Sequence, residues 1–243
     1  RNKVAGPLGK KVDAPSHYAP EILFPILRSQ QRHEKNLIDQ DGFDIWNIHE
    51  LFWLNLSEQS HHDQISIHIP ANSRSTIESK SMKLFINSLI HRRFKDLDEV
   101  KNEIKAQVEA IVEAKVIIDA IHTQIKSEHT QVTVSKKLTV NKTKSNQISM
   151  QKFRGFRSLC PVTSQPDIAE ILIESDIHKD DMEGISCYLG SFFERECFHE
   201  LCVEFICNDL VKAGFKVNKV EGFFERRGGI AIIPINILKK IKI

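Results

Sequence analysis

Cys160 lies in the run Arg157-Ser158-Leu159-Cys160-Pro161-Val162-Thr163-Ser164-Gln165-Pro166-Asp167, a polar turn with two prolines and a carboxylate seven residues after the thiol. Such a segment is a poor place to bury a cysteine for packing. A nucleophile needs an accessible sulfur and a neighbour that moves protons, and Cys160 with Asp167 could supply both. The competing reading is a loop cysteine near a surface aspartate.

Three further polar constellations stand out. In Phe198-His199-Glu200, helical spacing turns His199 away from the apolar positions Phe198, Leu201 and Cys202. The Glu200 carboxylate can accept two hydrogen bonds from the adjacent N–H groups of a guanine-like edge. The alternative is a solvated helix start, where an acid suits the macrodipole. In Glu78-Ser79-Lys80-Ser81-Met82-Lys83-Leu84, Ser79 and Lys80 at a helix start can hold an anion such as a phosphate. A plain N-terminus with a capping serine reads equally well. Arg226-Arg227-Gly228-Gly229 can bring guanidinium groups and bare backbone N–H to a phosphate, or can be a hairpin turn needing positive φ.

Other residues invite chemistry less strongly. Cys197, Cys202 and Cys207 beside His199 suggest zinc. Steps of five residues, however, rotate about 140° on a helix, no CxxC pair is present, and the three read as small buried hydrophobes. His61-His62-Asp63 reads as a turn between strands. No GxGxxG or P-loop pattern occurs, so a Rossmann nucleotide site is not indicated.

The elements that must position these residues follow from periodicity. Residues up to about Asp41, with Pro7, Pro15, Pro20 and Pro25, read as an extended arm on the surface. Strands are expected at Asp44 to Asn55 and through Ile65, Ile67 and Ile69, ending at Pro70. A helix follows Glu78 through Met82, Phe85, Ile86, Leu89 and Ile90. A second, capped by Asp96 or Asp98, carries the stripe Val100, Ile104, Val108, Ile111 and Val112. Lys115 to Gln124 reads as a strand and Lys126 to Ser149 as a polar connection. The second half repeats this order: a strand before Cys160, a strand from Ile168 to Glu174, a helix from Asp180 or Asp181 to about Phe193, and a helix through Phe198, Leu201, Cys202, Phe205, Ile206 and Leu210 stopped by Gly214. Strands Lys216 to Glu225 and Ile230 to Ile235 close it. The class is therefore α+β, a duplicated unit with antiparallel strands and helices on one face. The expected domains are an arm over 1–43, a first module over 44–125, a linker over 126–144 and a second module over 145–243.

Bulk properties limit the partners. The chain has 243 residues, a net charge of +2, 41% hydrophobic and 27% charged residues. These are ordinary globular values and give no reason to expect nucleic acid or an anionic membrane. No apolar run approaches the roughly 20 residues of a spanning helix. The first residues lack the apolar core of a secretory leader, which favours the cytoplasm. The five cysteines are odd in number and confined to the second half, which argues against a disulfide framework.

Taken together, the four motifs resemble the NADPH-dependent 7-cyano-7-deazaguanine reductases, the QueF nitrile reductases. Glu78 to Leu84 resembles the family signature, Cys160 to Asp167 its nucleophile loop, and Phe198 to Glu204 and Arg226 to Gly229 its substrate and cofactor segments. Asp44-Ile45-Trp46 and Trp53-Leu54-Asn55 add weaker matches. The order is that of the long, two-module branch. Ile230-Ala231-Ile232-Ile233-Pro234 departs from the Leu-Asp-Ile-Asn-Pro common there, and the residues from Ile237 depart from the usual tail.

The resemblance implies two tandem tunnelling-fold (T-fold) modules, a homodimer, and reduction of a nitrile to a primary amine with two NADPH, in queuosine biosynthesis. It implies Cys160 as the nucleophile forming a thioimide and Asp167 as proton donor. Ile77, Glu78, Ser79, His199 and Glu200 would bind the deazaguanine. Ser79, Lys80, Arg227 and Gly228 would bind NADPH, with no metal required. Two other readings are a related T-fold enzyme acting on a pterin or purine, such as a cyclohydrolase, and a purine-binding module that has lost turnover.

Overall fold

The computed structural model describes residues 13–32, 41–134, 142–143 and 146–238. They form two compact units. The first comprises residues 13–32, Ile45–His122 and Arg226–Ala231, and the second 41–44, Thr123–Glu225 and 232–238.

In the first unit β1 (Pro25–Leu27) leads into α1 (Arg28–Arg32), followed by β2 (Asp41–Asn55) and β3 (Ser60–Pro70). The β2–β3 turn is organised by Asn55, whose Oδ1 accepts from Ser57 and Gln59 N–H at 2.9 Å each. Next come β4 (Ser75–Ile77), α2 (Ser79–Ser88), β5 (Arg93–Phe94), α3 (Leu97–Val112) and β6 (Ile117–Asp119). β6 pairs antiparallel with β3, β5 runs parallel on β2, and β1 pairs antiparallel with β4. Both long helices follow their stripes. Met82, Phe85 and Ile86 of α2, and Val100, Ile104, Val108 and Val112 of α3, are buried. Asp96 caps α3 by accepting from Glu99 N–H at 2.9 Å, and Glu113 in the left-handed region, φ 55°, ends it.

The second unit orders its strands β11-β10-β9-β8-β7. These are β7 (Thr130–Gln131), β8 (Ser149–Leu159), β9 (Pro166–Ser175), β10 (Val217–Phe224) and β11 (Ile230–Ile237), with α4 (Met182–Gly190) and α5 (His199–Lys212) between β9 and β10. β8–β9, β9–β10 and β10–β11 are antiparallel, and only β7 pairs in parallel, with β8. The register shifts between Arg154 and Phe156, where Gly155 takes φ +90°, a bulge that returns Phe156 to the core. Phe153, Phe156, Ile171, Leu189, Val203 and Val220 belong to that core. α5 lies close on β10 because Gly222 has no side chain: a Cβ there would stand 2.8 Å from Val203 Cγ2.

The architecture is α+β with antiparallel-rich sheets. Several sequence expectations are revised. Where it is described, the segment before Asp41 is anchored on the first unit. Ala19, Leu23 and Ile26 are buried, and Ala19 and Phe24 donate backbone N–H groups to Ser88 and Ser81 Oγ, each at 3.1 Å. Its residues 1–12 and 33–40 lie outside the described residues. His61, His62 and Asp63 lie within β3 rather than in a turn. Trp53 explains this: its ring stacks on His61 at 4.3 Å and its Nε1 donates to Asp63 at 2.9 Å. Only Ile117–Asp119 of the strand expected at Lys115 to Gln124 forms, and α4 stops at Gly190, short of Phe193. Part of the polar stretch after Lys126 joins the second unit, through the β7–β8 pairing. Residues 135–141, 144 and 145 lie outside the described residues. Among the described residues no helix is long and apolar enough to cross a membrane.

His68 shows how burial sets a pH response. Ser66 Oγ spends its one hydrogen on Ala120 O at 2.7 Å, so the His68 Nε2 that lies 2.8 Å away must donate to it. Burial, and then the neighbouring His122, lower the His68 pKa from its ordinary 6.5. Burial and Arg226 lower that of His49. Below 6.5 the unfolded chain therefore binds more protons at these rings than the folded one, and acid favours unfolding. We expect thermal stability to fall as pH drops from about 7 through 6, and the slope to shrink in His68→Gln. An unchanged slope in that variant would contradict the assignment.

Candidate active site

The loop that carries Cys160 is built outward from the end of β8. Leu159 pairs with Pro166 across the β8–β9 register. On its other side, its N–H donates to Arg195 O and its carbonyl accepts from Cys197 N–H, both at 2.9 Å. Cys160 follows at once. Its N–H donates to Gln165 O at 2.9 Å and its carbonyl accepts from Ser164 N–H at 2.8 Å. Ser164 closes the turn in the left-handed region, φ 55°, so both backbone groups of the cysteine are fixed.

Cys160 is half-buried, while Cys187, Cys197, Cys202 and Cys207 are buried. Burial pushes Cys207 up to about 12 and Cys202 well above its ordinary range. Those two thiols are held protonated at neutral pH, which leaves them inert. The Cys197, Cys202 and Cys207 series accordingly belongs to the core.

β9 and α5 supply the polar partners. Asp167, the second residue of β9, faces Ser158 in the register and is only 7% exposed. His199 opens α5 with Nε2 at 3.2 Å from Asp167 Oδ2. Its ring stacks on Phe224 of β10, centroids 4.1 Å apart and 20° from parallel. Phe224 in turn meets Phe156 edge-on, so the imidazole rests on the core and keeps one edge toward the carboxylate. Glu200, in the first turn of α5, is 5% exposed. The second unit thus gathers Cys160, Asp167, His199 and Glu200 around the ends of β8, β9 and α5.

The first unit gathers Ile77, Glu78, Ser79, Lys80, Arg227 and Gly228. The capping serine expected there is replaced by Glu78, whose Oε1 accepts from Lys80 N–H at 2.6 Å and Oε2 from Ser81 N–H at 2.9 Å. Ser81, at the third helical position, ties down the same turn, its Oγ donating to Glu78 O at 2.7 Å and accepting from Phe24 N–H at 3.1 Å. Burial raises the Glu78 pKa, opposed by these two N–H groups and by the charges of Lys83 and Lys80. Each carboxylate oxygen keeps a second lone pair, so the cap does not exhaust the group. Ile77, at the end of β4, is buried.

Arg226-Arg227-Gly228-Gly229 forms the turn into β11. Arg227 N–H donates to Ile230 O at 2.9 Å, and Gly228 and Gly229 take φ +55° and +78°. Lys83 of α2 lies over Gly228, its Nζ 3.7 Å from where a Cβ would stand, and Glu50 of β2 lies under Gly229, its Oε2 2.6 Å from the corresponding position. A helix N-terminus with Ser79 and Lys80, beside a glycine turn carrying Arg227, suits a ligand with several phosphate charges. Among the described residues no group of three or more His, Cys, Asp and Glu side chains could hold a metal.

Sequence reasoning missed Phe224, Ser164, Lys83 and Glu50. Phe224 looks like any aromatic on a strand. The side-chain partners of the turns depend on chain crossings that no local pattern encodes.

Gly229→Ala should lower stability by about 1–3 kcal/mol, through the left-handed backbone and the clash with Glu50. In a Glu50→Ala background the penalty should shrink without vanishing, because the carboxylate is gone while φ is unchanged and the Cβ of residue 50 stays 2.9 Å away. Denaturant unfolding measures both, and an equal penalty in the two backgrounds would refute the clash.

Two family profiles match the chain. The one described as "Nitrile reductase, 7-cyano-7-deazaguanine-reductase N-term" covers residues 14–120, and "QueF-like protein" covers 166–242. Curated relatives carry the name NADPH-dependent 7-cyano-7-deazaguanine reductase. That of Desulfotalea psychrophila is 32% identical over 94% of this chain and 91% of its own length. That of Dechloromonas aromatica is 32% identical over 95% and 89%, and that of Bordetella avium 33% over 94% and 91%. With matches at this identity running through both units, the chain belongs to the family of NADPH-dependent 7-cyano-7-deazaguanine reductases.

Proposed function

We propose that this chain is an NADPH-dependent oxidoreductase that reduces the nitrile of 7-cyano-7-deazaguanine to the aminomethyl group, in queuosine biosynthesis. What supports the reading is the half-buried thiol Cys160 at the end of a strand whose register sets Ser158 against Asp167, with Asp167 in contact with His199 at 3.2 Å. Each unit is read as a tunnelling-fold module, supported by its antiparallel-rich sheet and its helices. The enzyme acts as a cytoplasmic homodimer.

The Cys160 thiolate adds to the nitrile carbon, forming a C–S bond as one C–N π pair moves to nitrogen. Asp167 delivers a proton to that nitrogen, giving a covalent thioimide with no leaving group. His199 orients the Asp167 carboxyl and can pass it a replacement proton. NADPH, which Ser79, Lys80, Arg227 and Gly228 would hold, would supply the two hydrides that the nitrile carbon must gain, the thiolate of Cys160 departing between them. Each hydride is matched by a proton, so two NADPH and two protons convert nitrile to neutral amine. Covalent capture divides a four-electron reduction into smaller steps. Glu200 accepts hydrogen bonds from the guanine-like edge beside His199. Ser79, Lys80, Arg227 and Gly228 hold the cofactor phosphates. Base recognition by Ile77, Glu78 and Ser79 is part of the same proposal.

Purified protein given 7-cyano-7-deazaguanine should oxidise two NADPH per substrate, and Cys160→Ala should abolish this. Asp167→Asn should bind the nitrile while reacting about 10²- to 10⁴-fold more slowly. Absence of NADPH oxidation by the unaltered chain would leave a purine-binding module or another T-fold activity. Undiminished turnover in Asp167→Asn would remove its role as acid.

A further inference from the structure

We infer that Glu196 is a positioning residue for Cys160, acting through Ser164; the inference rests on the nitrile-capture reading. Glu196 touches the nucleophile loop at both of its ends. Through the backbone it forms a parallel bridge with Leu159, framed by the hydrogen bonds of Arg195 and Cys197 to that residue. Through the side chain it holds the far end, its Oε1 accepting from Ser164 Oγ at 3.2 Å.

Ser164 is where the loop stores strain. It is one of three non-glycine residues with positive φ among those described, with Glu58 and Glu113. A serine in the left-handed region is disfavoured unless its surroundings hold it there. That conformation aims Ser164 N–H at the Cys160 carbonyl, 2.8 Å away, and precedes Gln165, whose carbonyl receives the Cys160 N–H at 2.9 Å. Releasing Ser164 loosens both backbone restraints on the nucleophile. Nucleophilic addition depends steeply on the angle and distance of approach, so a loosened turn slows attack without weakening substrate binding.

Both side chains are exposed, so neither is needed for the core. Glutamine offers the same accepting oxygen without the charge, which separates positioning from electrostatics. The test is the rate of covalent adduct formation with 7-cyano-7-deazaguanine in the absence of NADPH, together with substrate affinity. Glu196→Ala and Ser164→Ala should each slow adduct formation about 3- to 10-fold at unchanged affinity. The double variant should be no slower than the worse single one, and Glu196→Gln should stay within about 2-fold of the original with the same pH profile. An original rate in Glu196→Ala, additive losses in the double variant, or a slow Glu196→Gln with a displaced pH profile would each overturn the inference. If the unaltered chain forms no adduct at all, the nitrile-capture reading fails instead.

Discussion

Leu159 is held by both of its backbone groups to the Arg195–Cys197 segment, and the arrangement of the second unit depends on that clamp. On the N-terminal side it anchors the end of β8, so that Cys160 leaves a fixed strand. On the C-terminal side it anchors the residues that lead into α5, which fixes where His199 and Glu200 begin. β9, paired with the other edge of β8, brings Asp167 to the same place. The Cys160 thiol and the Asp167 and Glu200 carboxylates, distant in sequence, are thereby ordered by backbone hydrogen bonds. These are less sensitive to side-chain replacement than a cluster held by side chains alone.

Burial then divides the chemistry. The core takes four cysteines, and where the effect on a thiol is resolved it is upward, for Cys202 and Cys207. The loop keeps one cysteine half-exposed. In the first unit, burial acts on Glu78 in the same direction, while the helix N-terminus and two lysines pull against it. That balance keeps an acidic group in a segment that otherwise carries positive charge, from Lys80 and Lys83 in the helix to Arg226 and Arg227 in the turn.

Much of this was legible from residue spacing. The stripes Val100-Ile104-Val108-Val112 and Leu201-Phe205 force amphipathic helices because each must bury one face. Ile65, Ile67 and Ile69 force a strand for the same reason with period two. The motifs around Cys160, Glu200 and Gly229 were legible because few structural needs explain a cysteine between prolines or two arginines before two glycines. What was not legible depended on tertiary partners. Nothing in the spacing says that Glu78 rather than Ser79 caps α2, since either side chain can accept from backbone N–H groups, and the choice shows only in the contacts of Glu78 with Lys80 and Ser81 N–H. His61 to Asp63 look like turn residues until Trp53 stacks on one and donates to another. The segment before Asp41 lacks periodicity, and it is drawn into the first unit by hydrogen bonds to Ser81 and Ser88 of α2. Phe224 shows its value only under the His199 ring.

The most direct test of nitrile capture is a peptide map of the chain after incubation with 7-cyano-7-deazaguanine without NADPH. The account predicts that the peptide containing Cys160 gains the full mass of the substrate, because addition to a nitrile expels nothing, and that NADPH then removes the gain. A modification on Cys187, Cys197, Cys202 or Cys207, or no covalent gain in a chain that still oxidises NADPH, would contradict it.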